Sequence, residues 1–238
     1  MRRRRPVPGH SSSRGGQLGR AFSGTRKPDR VVTFSDAVFA IAVTLLVLEI
    51  HAPADFRRLP HALTALWPSF LAYVITFLLI GQVWVNHHVL FDHIRAVDRL
   101  VLFVNTLLLM DIAFLPFAAS VLSDAFHHGE GQRAAVVFYG LTLEAAPILF
   151  NVIWEYVRRR PGLLDPGIDE MVAASIARRF RLALFWIAAG TALGGFFPLL
   201  GVAVIAAFIP AYWLPIRGET AGLRRAEEEA GRRRRDQG

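Results

Sequence analysis

Apolar residues run along the chain in long unbroken stretches separated by short polar breaks. They do not alternate with polar ones as the strands of a membrane barrel would. A bilayer core of about 30 Å takes roughly 20 helical residues. By that measure residues 32–51 predict a first span, charged only near its ends at Asp36 and Glu49. Residues 63–87 predict a second, with no charge anywhere in 62–86. Residues 97–121 predict a third, interrupted by Asp111 and Pro116, and residues 134–157 a fourth, holding Glu144. Residues 182–216 carry no charge over 35 positions, too long for one span at about 1.5 Å per residue. Gly194, Gly195, Pro198 and Gly201 at the middle of that stretch predict a tight hairpin of two short helices, the fifth and sixth spans. The inner loop 158–181 is expected to carry a short amphipathic helix over 168–181, and residues 223–235 are helix-prone but highly charged. The expected fold is all-α: a polytopic membrane protein with six transmembrane helices. Its parts are a basic disordered tail at 1–29, a transmembrane domain at 30–217 and a charged tail at 218–238.

Composition supports a membrane class. The chain is 53% hydrophobic and 19% charged, with mean hydropathy +0.38, where a soluble domain keeps more charge on its surface. Charge is segregated, so the pI near 11.0 describes tails and loops. With the N-terminus inside, 24 of the 27 Lys/Arg fall in inner segments, and only Arg57, Arg58 and Arg133 fall outside. The positive-inside bias therefore places both ends in the cytoplasm and the protein in the cell membrane as a multi-pass chain. Trp67, Trp84, Trp154 and Trp213 fall near predicted span ends, where interfacial aromatics belong. Basic tails beside apolar spans point to anionic lipid headgroups and away from nucleic acid. Arg2–Arg5 look like the start of a cleaved signal, but the first apolar run begins more than thirty residues in, and residues 37–50 read as part of a retained helix. The absence of cysteine removes disulfides, thiolate metal sites and cysteine nucleophiles.

Ionisable residues inside a span are costly and mark functional candidates. Following each span from its inner or outer end brings Arg30, Asp36, Trp84, Asn86, His87, His88, Asp98, Arg99 and Asn105 to one layer near the inner face. Such groups are tolerated when paired and hydrogen-bonded. The layer reads first as a structural network, next as a gating or proton-sensing device, and last as a metal site made by His87, His88, Asp92 and His93. Adjacent histidines on a helix point about 100° apart, so no metal is expected. Asp111 and Glu144 lack an obvious basic partner at their depth. They read as protonated carboxyls inside the bundle, or as a wetted proton or cation path. Ile41, Leu45 and Leu48 form a stripe at i, i+4 and i+7 on the first helix. No Gly-rich phosphate loop, Thr-Val-Gly-Tyr-Gly filter, His-Glu-x-x-His pair or Gly-x-Ser-x-Gly elbow is present, and nothing reads as an enzyme.

Arg30-Val-Val-Thr-Phe34-Ser35-Asp36 leads directly into the apolar run of the first helix. This resembles the signature of the transmembrane-protein-175 potassium channel family, an Arg followed after three residues by Phe-Ser-Asp. The similarity continues through Trp84-Val-Asn86-His87-His88, Phe91, Ile94, Asp98, Asn105 and Phe114-Leu115-Pro116-Phe117. The single signature resembles the single-repeat bacterial form. The resemblance implies a potassium-permeable, non-canonical cation channel assembled as a homotetramer, needing no cofactor beyond the permeant potassium ion. It also implies a pore lined by the first helix, with Ile41 as the principal apolar constriction, Leu45 and Leu48 as further layers, and Thr44 contributing to selectivity. Arg30, Phe34, Ser35 and Asp36, with His87 and His88, then look like the inner network supporting that helix. Asp111 and the Arg-rich ends depart from the family pattern. The alternative from the residues themselves is a proton-coupled secondary transporter using Asp111, Glu144 and the His pair.

Overall fold

The computed structural model describes residues 27–53 and 56–213. The basic stretches 1–26 and 214–238, with the helix-prone segment 223–235, lie outside the described residues. Within them the chain is all-helical: seven α-helices, one 3-10 turn and no strand. Helix α1 spans Asp29–Leu45 and tightens into a 3-10 turn at Leu46–Glu49. A short α2, Leu59–Ala65, leads to α3, Trp67–Asp92. Then come α4, Arg99–His128, and α5, Gln132–Arg158. Last are α6, Glu170–Gly194, and α7, Pro198–Trp213.

Four of these are long and apolar enough to cross a membrane: Asp29–Glu49, α3, α4 and α5. Helix α7 is apolar but shorter. Helix α6 joins two segments that the pattern separated. The amphipathic stretch beginning near 168 and the apolar stretch beginning at 182 form one continuous helix. Nothing helix-breaking lies between them, and Asp169 caps the start, accepting from Met171 N at 2.9 Å. The second span also starts later than its apolar run. The chain breaks at Leu66, and Pro68 stands in the first turn of α3, where a missing N–H costs nothing.

Helices α4, α5, α6 and α7 follow one another as antiparallel neighbours, with α3 packed along α4 and α1 laid against α4 and α3. Gly129 and Gly131 make the α4–α5 turn, at φ 72° and 68°, in the left-handed region that favours glycine. The α6–α7 turn falls at the expected glycines. A Cβ added at Gly201 would run into the backbone of Gly194, so these two helices pack backbone to backbone. The interior is filled by Trp154, Tyr139, Phe180, Leu108, Ile112 and Ile205. Trp154, expected in an interfacial belt, is instead buried, because its indole N–H donates to Ala173 O at 3.3 Å and its ring meets Phe180. Thr76 and Tyr139 share a buried hydroxyl–hydroxyl bond of 2.8 Å that ties α3 to α5.

The α3–α4 and α5–α6 linkers pair as a short antiparallel bridge. Arg95 N donates to Leu163 O at 2.8 Å and Asp165 N donates to His93 O at 3.0 Å. Both linkers thus lie at the same end of the bundle.

Candidate functional site: a two-faced helix and its polar support

Helix α1 has two unlike faces. Ser35, Phe39, Ala42 and Leu46 recur at helical spacing and are buried against the bundle. The other side carries Phe34, Ala37, Ile41, Thr44, Leu45 and Leu48, all exposed. Ile41 is 59% exposed, Leu45 40% and Leu48 68%. Only 22% of the α1 span is buried within the chain, against 44%, 44% and 50% for α3, α4 and α5. Thr44 Oγ1 donates to Ile41 O at 2.8 Å. Its hydroxyl proton is therefore used within its own helix, and the oxygen lone pairs remain on the exposed face.

The buried face of α1 is held by a chain of hydrogen bonds across three helices. Ser35 Oγ donates to Val31 O at 2.8 Å, one turn back on α1. Asn105 Nδ2, on α4, donates to Ser35 Oγ at 3.1 Å. The Asn105 Oδ1 end then faces His87 Nε2, on α3, at 3.0 Å, so His87 donates through that nitrogen. Ser35, Asn105 and His87 are all buried. The His87 ring sits between Phe39 of α1, edge-on at 5.6 Å, and Phe91, at 4.5 Å. A second contact lies nearer the surface. Trp84 Nε1 donates to Asp36 Oδ1 at 3.0 Å, and His88 Nε2 stands 3.6 Å from the same oxygen, longer than a hydrogen bond.

The remaining polar residues of this layer sit elsewhere. Arg30 and Phe34 are exposed on α1 and take no part in the chain of bonds. Asn86 neighbours His87 in sequence but lies about 100° round the helix, and its Oδ1 accepts from Tyr212 of α7 at 2.7 Å. The guanidinium of Arg179, on α6, stacks over the Tyr212 ring at 5.0 Å. Asp98 lies in the α3–α4 linker and caps α4, accepting from Leu100 N at 3.1 Å and Val101 N at 3.0 Å, and from the Tyr156 hydroxyl at 2.5 Å. Burial works to raise the Asp98 carboxyl. The bonds from Tyr156, Val101 and Leu100, with the nearby Arg160 charge, outweigh it and hold the carboxyl below its ordinary value. Tyr156, Arg179 and Tyr212 were not found from the sequence. Nothing in the spacing of their own helices signals partners on α3 or in the α3–α4 linker.

Among the described residues no group of three His, Asp or Glu side chains is placed to hold a metal ion. Asp111 and Glu144 each keep a buried carboxyl oxygen, Oδ2 and Oε2, without a hydrogen-bond partner.

Comparison with known proteins agrees with the family resemblance. The family model described as "Endosomal/lysosomal potassium channel TMEM175" matches residues 30–116. A protein of Streptomyces collinus named as a potassium channel is 42% identical over 155 residues, covering 64% of this chain and 75% of that one. The solved structure of a lysosomal potassium-selective channel TMEM175 homolog from Chamaesiphon minutus superposes with TM-score 0.70 at 32% identity, covering 78% of this chain and 96% of that one. The human endosomal/lysosomal proton channel TMEM175 is 41% identical over 100 residues, but this stretch is only 20% of its length.

Proposed function

The chain belongs to the TMEM175 family, and on that premise we propose that it is a potassium channel whose pore is lined by the exposed face of α1. The observation that carries this reading is the exposure of Ile41, Leu45 and Leu48 on the least covered of the four helices long and apolar enough to cross a membrane. In a homotetramer, four copies of that face meet on the axis. Ile41 forms the principal constriction, with Leu45 and Leu48 as further layers, and such an apolar ring gates by dewetting. Thr44 adds hydroxyl oxygens whose own protons are already donated to Ile41 O, so they meet a cation as acceptors. The chain Ser35–Asn105–His87 fixes the rotation of α1 about its axis, and the Asp36–Trp84 bond with His88 beside it steadies the same end.

The working topology is a transmembrane domain at 30–217 crossing six times in the cell membrane. Here α6 and α7 supply the last two crossings, the two ends are cytoplasmic, and the basic tails 1–29 and 218–238 meet anionic headgroups. The channel needs no cofactor. Recording from the protein in a bilayer with potassium and sodium on opposite sides tests the reading. A reversal potential near the potassium limit is expected in the wild type, and one moved toward zero in Ile41→Asn, which widens and wets the constriction. Equal silence of both proteins overturns it. The competing proton-coupled transporter rests on the unpartnered carboxyl oxygens of Asp111 and Glu144. It requires saturable uptake driven by a pH gradient and lost in Asp111→Asn and Glu144→Gln.

A further inference from the structure

Six arginines lie between residues 158 and 181, and four of them are engaged within the chain. Arg158 pairs with Glu170 at 3.1 Å and Arg159 with Glu155 at 2.7 Å. Arg160 stacks over the Tyr156 ring at 4.5 Å and Arg179 over the Tyr212 ring at 5.0 Å. Arg178 and Arg181, on α6, are exposed and have no ion pair, side-chain hydrogen bond or ring contact among the described residues. With Ala174 before them and Phe185 after, they recur at steps of four, three and four residues, so all four share one exposed face. The acid before them on this helix, Glu170, is two turns from Arg178 and already holds Arg158.

The surface along this face is apolar on both sides of the pair. Met171 is 71% exposed toward the start of the helix, and Leu182 49% and Phe185 69% toward the turn. The turn itself exposes Phe196 and Phe197, so its tip stays in the outer interface rather than standing clear of it. With α6 and α7 crossing as proposed above, Arg181 stands 13 residues from Gly194, about 20 Å, and Arg178 16 residues, about 24 Å. The 16 residues of α7 also span only about 24 Å. A hydrocarbon core is about 30 Å thick, and any tilt shortens the reach of the hairpin further. The pair therefore falls at or inside the edge of the inner leaflet, where an arginine calls for a partner. A span this short thins the bilayer beside it, which brings lipid phosphates to the level of the two guanidiniums.

We propose that Arg178 and Arg181 bind the headgroup of one anionic phospholipid of the inner leaflet, whose acyl chain lies on Leu182 and Phe185. Guanidinium forks match phosphate oxygens in pairs. The pair brings two uncompensated positive charges, so a headgroup with net negative charge is favoured over a zwitterionic one. A free phosphate offers the same oxygens but leaves Leu182 and Phe185 uncovered. The site lies on the folded α6, apart from the basic tails and from the exposed face of α1. It rests on the six-crossing topology and not on conduction.

Native mass spectrometry of the purified full-length protein, titrated with phosphatidylglycerol or with phosphatidylcholine of the same chains, tests the proposal. The wild type should prefer phosphatidylglycerol. An arginine beside an anionic headgroup contributes about fivefold. Arg178→Gln with Arg181→Gln should therefore weaken phosphatidylglycerol binding roughly 30-fold and change phosphatidylcholine binding far less. Arg178→Lys with Arg181→Lys keeps the charge and should keep most of the preference. Arg232→Gln with Arg233→Gln removes the same charge from the tail and should cost the first bound lipid clearly less. Glycerol 3-phosphate, which has the phosphate and no chains, should not displace the lipid at equal concentration. No preference in the wild type, equal losses from the helix and tail variants, or displacement by glycerol 3-phosphate overturns the proposal. So does an assembly that falls apart in the Gln double variant, which would mean that a second copy covers this face. The crossing is checked separately by labelling Phe196→Cys with an impermeant thiol reagent outside intact cells. Labelling there supports the topology, and labelling only after the cells are opened removes the topology and the site with it.

Discussion

Asn105 donates to Ser35 Oγ at 3.1 Å and, through the other end of the same amide, accepts from His87. One side chain on α4 therefore sets the position of α1 relative to α3. Hydrogen bonds between membrane helices average only about 0.6 kcal/mol, but a buried donor left without a partner costs about 1–3 kcal/mol. Asn105→Leu orphans the His87 N–H, and Ser35→Ala orphans the Asn105 N–H. Each should lower thermal stability by that larger amount. Because both act on one chain of bonds, the double variant should lose clearly less than the sum. A double-mutant cycle on the purified assembly measures this, and strict additivity would show that the bonds are independent of one another.

The two faces of α1 make a prediction that is easy to read because the chain has no cysteine. Single-cysteine variants at Ile41 and Leu48 should react with a small charged thiol reagent in the reconstituted channel and lose current as they do. Phe39→Cys and Leu46→Cys, on the buried face, should stay unmodified over the same time. If all four react alike, or only the buried pair does, α1 does not line a wetted pore with this face.

The long apolar runs made α1, α3, α4 and α5 legible, because a membrane span must satisfy its backbone internally and so writes itself as a continuous segment. The glycines near 195 likewise announced the α6–α7 turn. The start of α3 was less legible, since no charge falls in residues 62–86 and only Pro68 marks the break. Depth along each span brought His87 and Asn105 to one level, and the structure joins them to each other and to Ser35, which only the family resemblance had named. Depth does not give rotation, however. Asn86 shared the level of His87 but faces α7, and its partner Tyr212 could not be named without knowing how α7 packs. The same holds for Tyr156 on Asp98.

Asp98 gives the inner linker a defined response to acid. Its carboxyl is held below its ordinary value in the folded chain, so the unfolded chain takes up a proton first as pH falls. The stability it supplies is full above the unfolded value of about 3.9 and is lost progressively as pH falls from there through the lower folded value. Asp98→Asn keeps an amide oxygen to cap α4 but removes the titration. The wild type should therefore lose thermal stability more steeply than Asp98→Asn below about pH 4, and the two curves should run parallel near neutral pH. Parallel curves throughout the acid range would show that the bonds from Tyr156, Leu100 and Val101 do not depend on the charge.

The α6–α7 hairpin depends on glycine in a way that two neighbouring positions separate. A Cβ at Gly201 would strike Gly194 Cα and N and come within 2.8 Å of Gly190 O. These are backbone atoms that cannot rotate aside, so Gly201→Ala must part the helices. The forced separation costs about 1–3 kcal/mol, as overpacking does elsewhere. It also strains the bonds that α7 makes to α3 through Ile209 O and Tyr212. Gly195 is different. A Cβ there meets its nearest atoms at 3.4 and 3.5 Å, ordinary contact distance, and the residue already has φ −63° and ψ −22°, which alanine adopts freely. Thermal unfolding should therefore drop by several degrees in Gly201→Ala and stay within about one degree of wild type in Gly195→Ala, on the scale of about 2–4 °C per kcal/mol for a chain of this size. The reverse order, or equal losses, would mean that the turn and not the backbone contact holds the hairpin together.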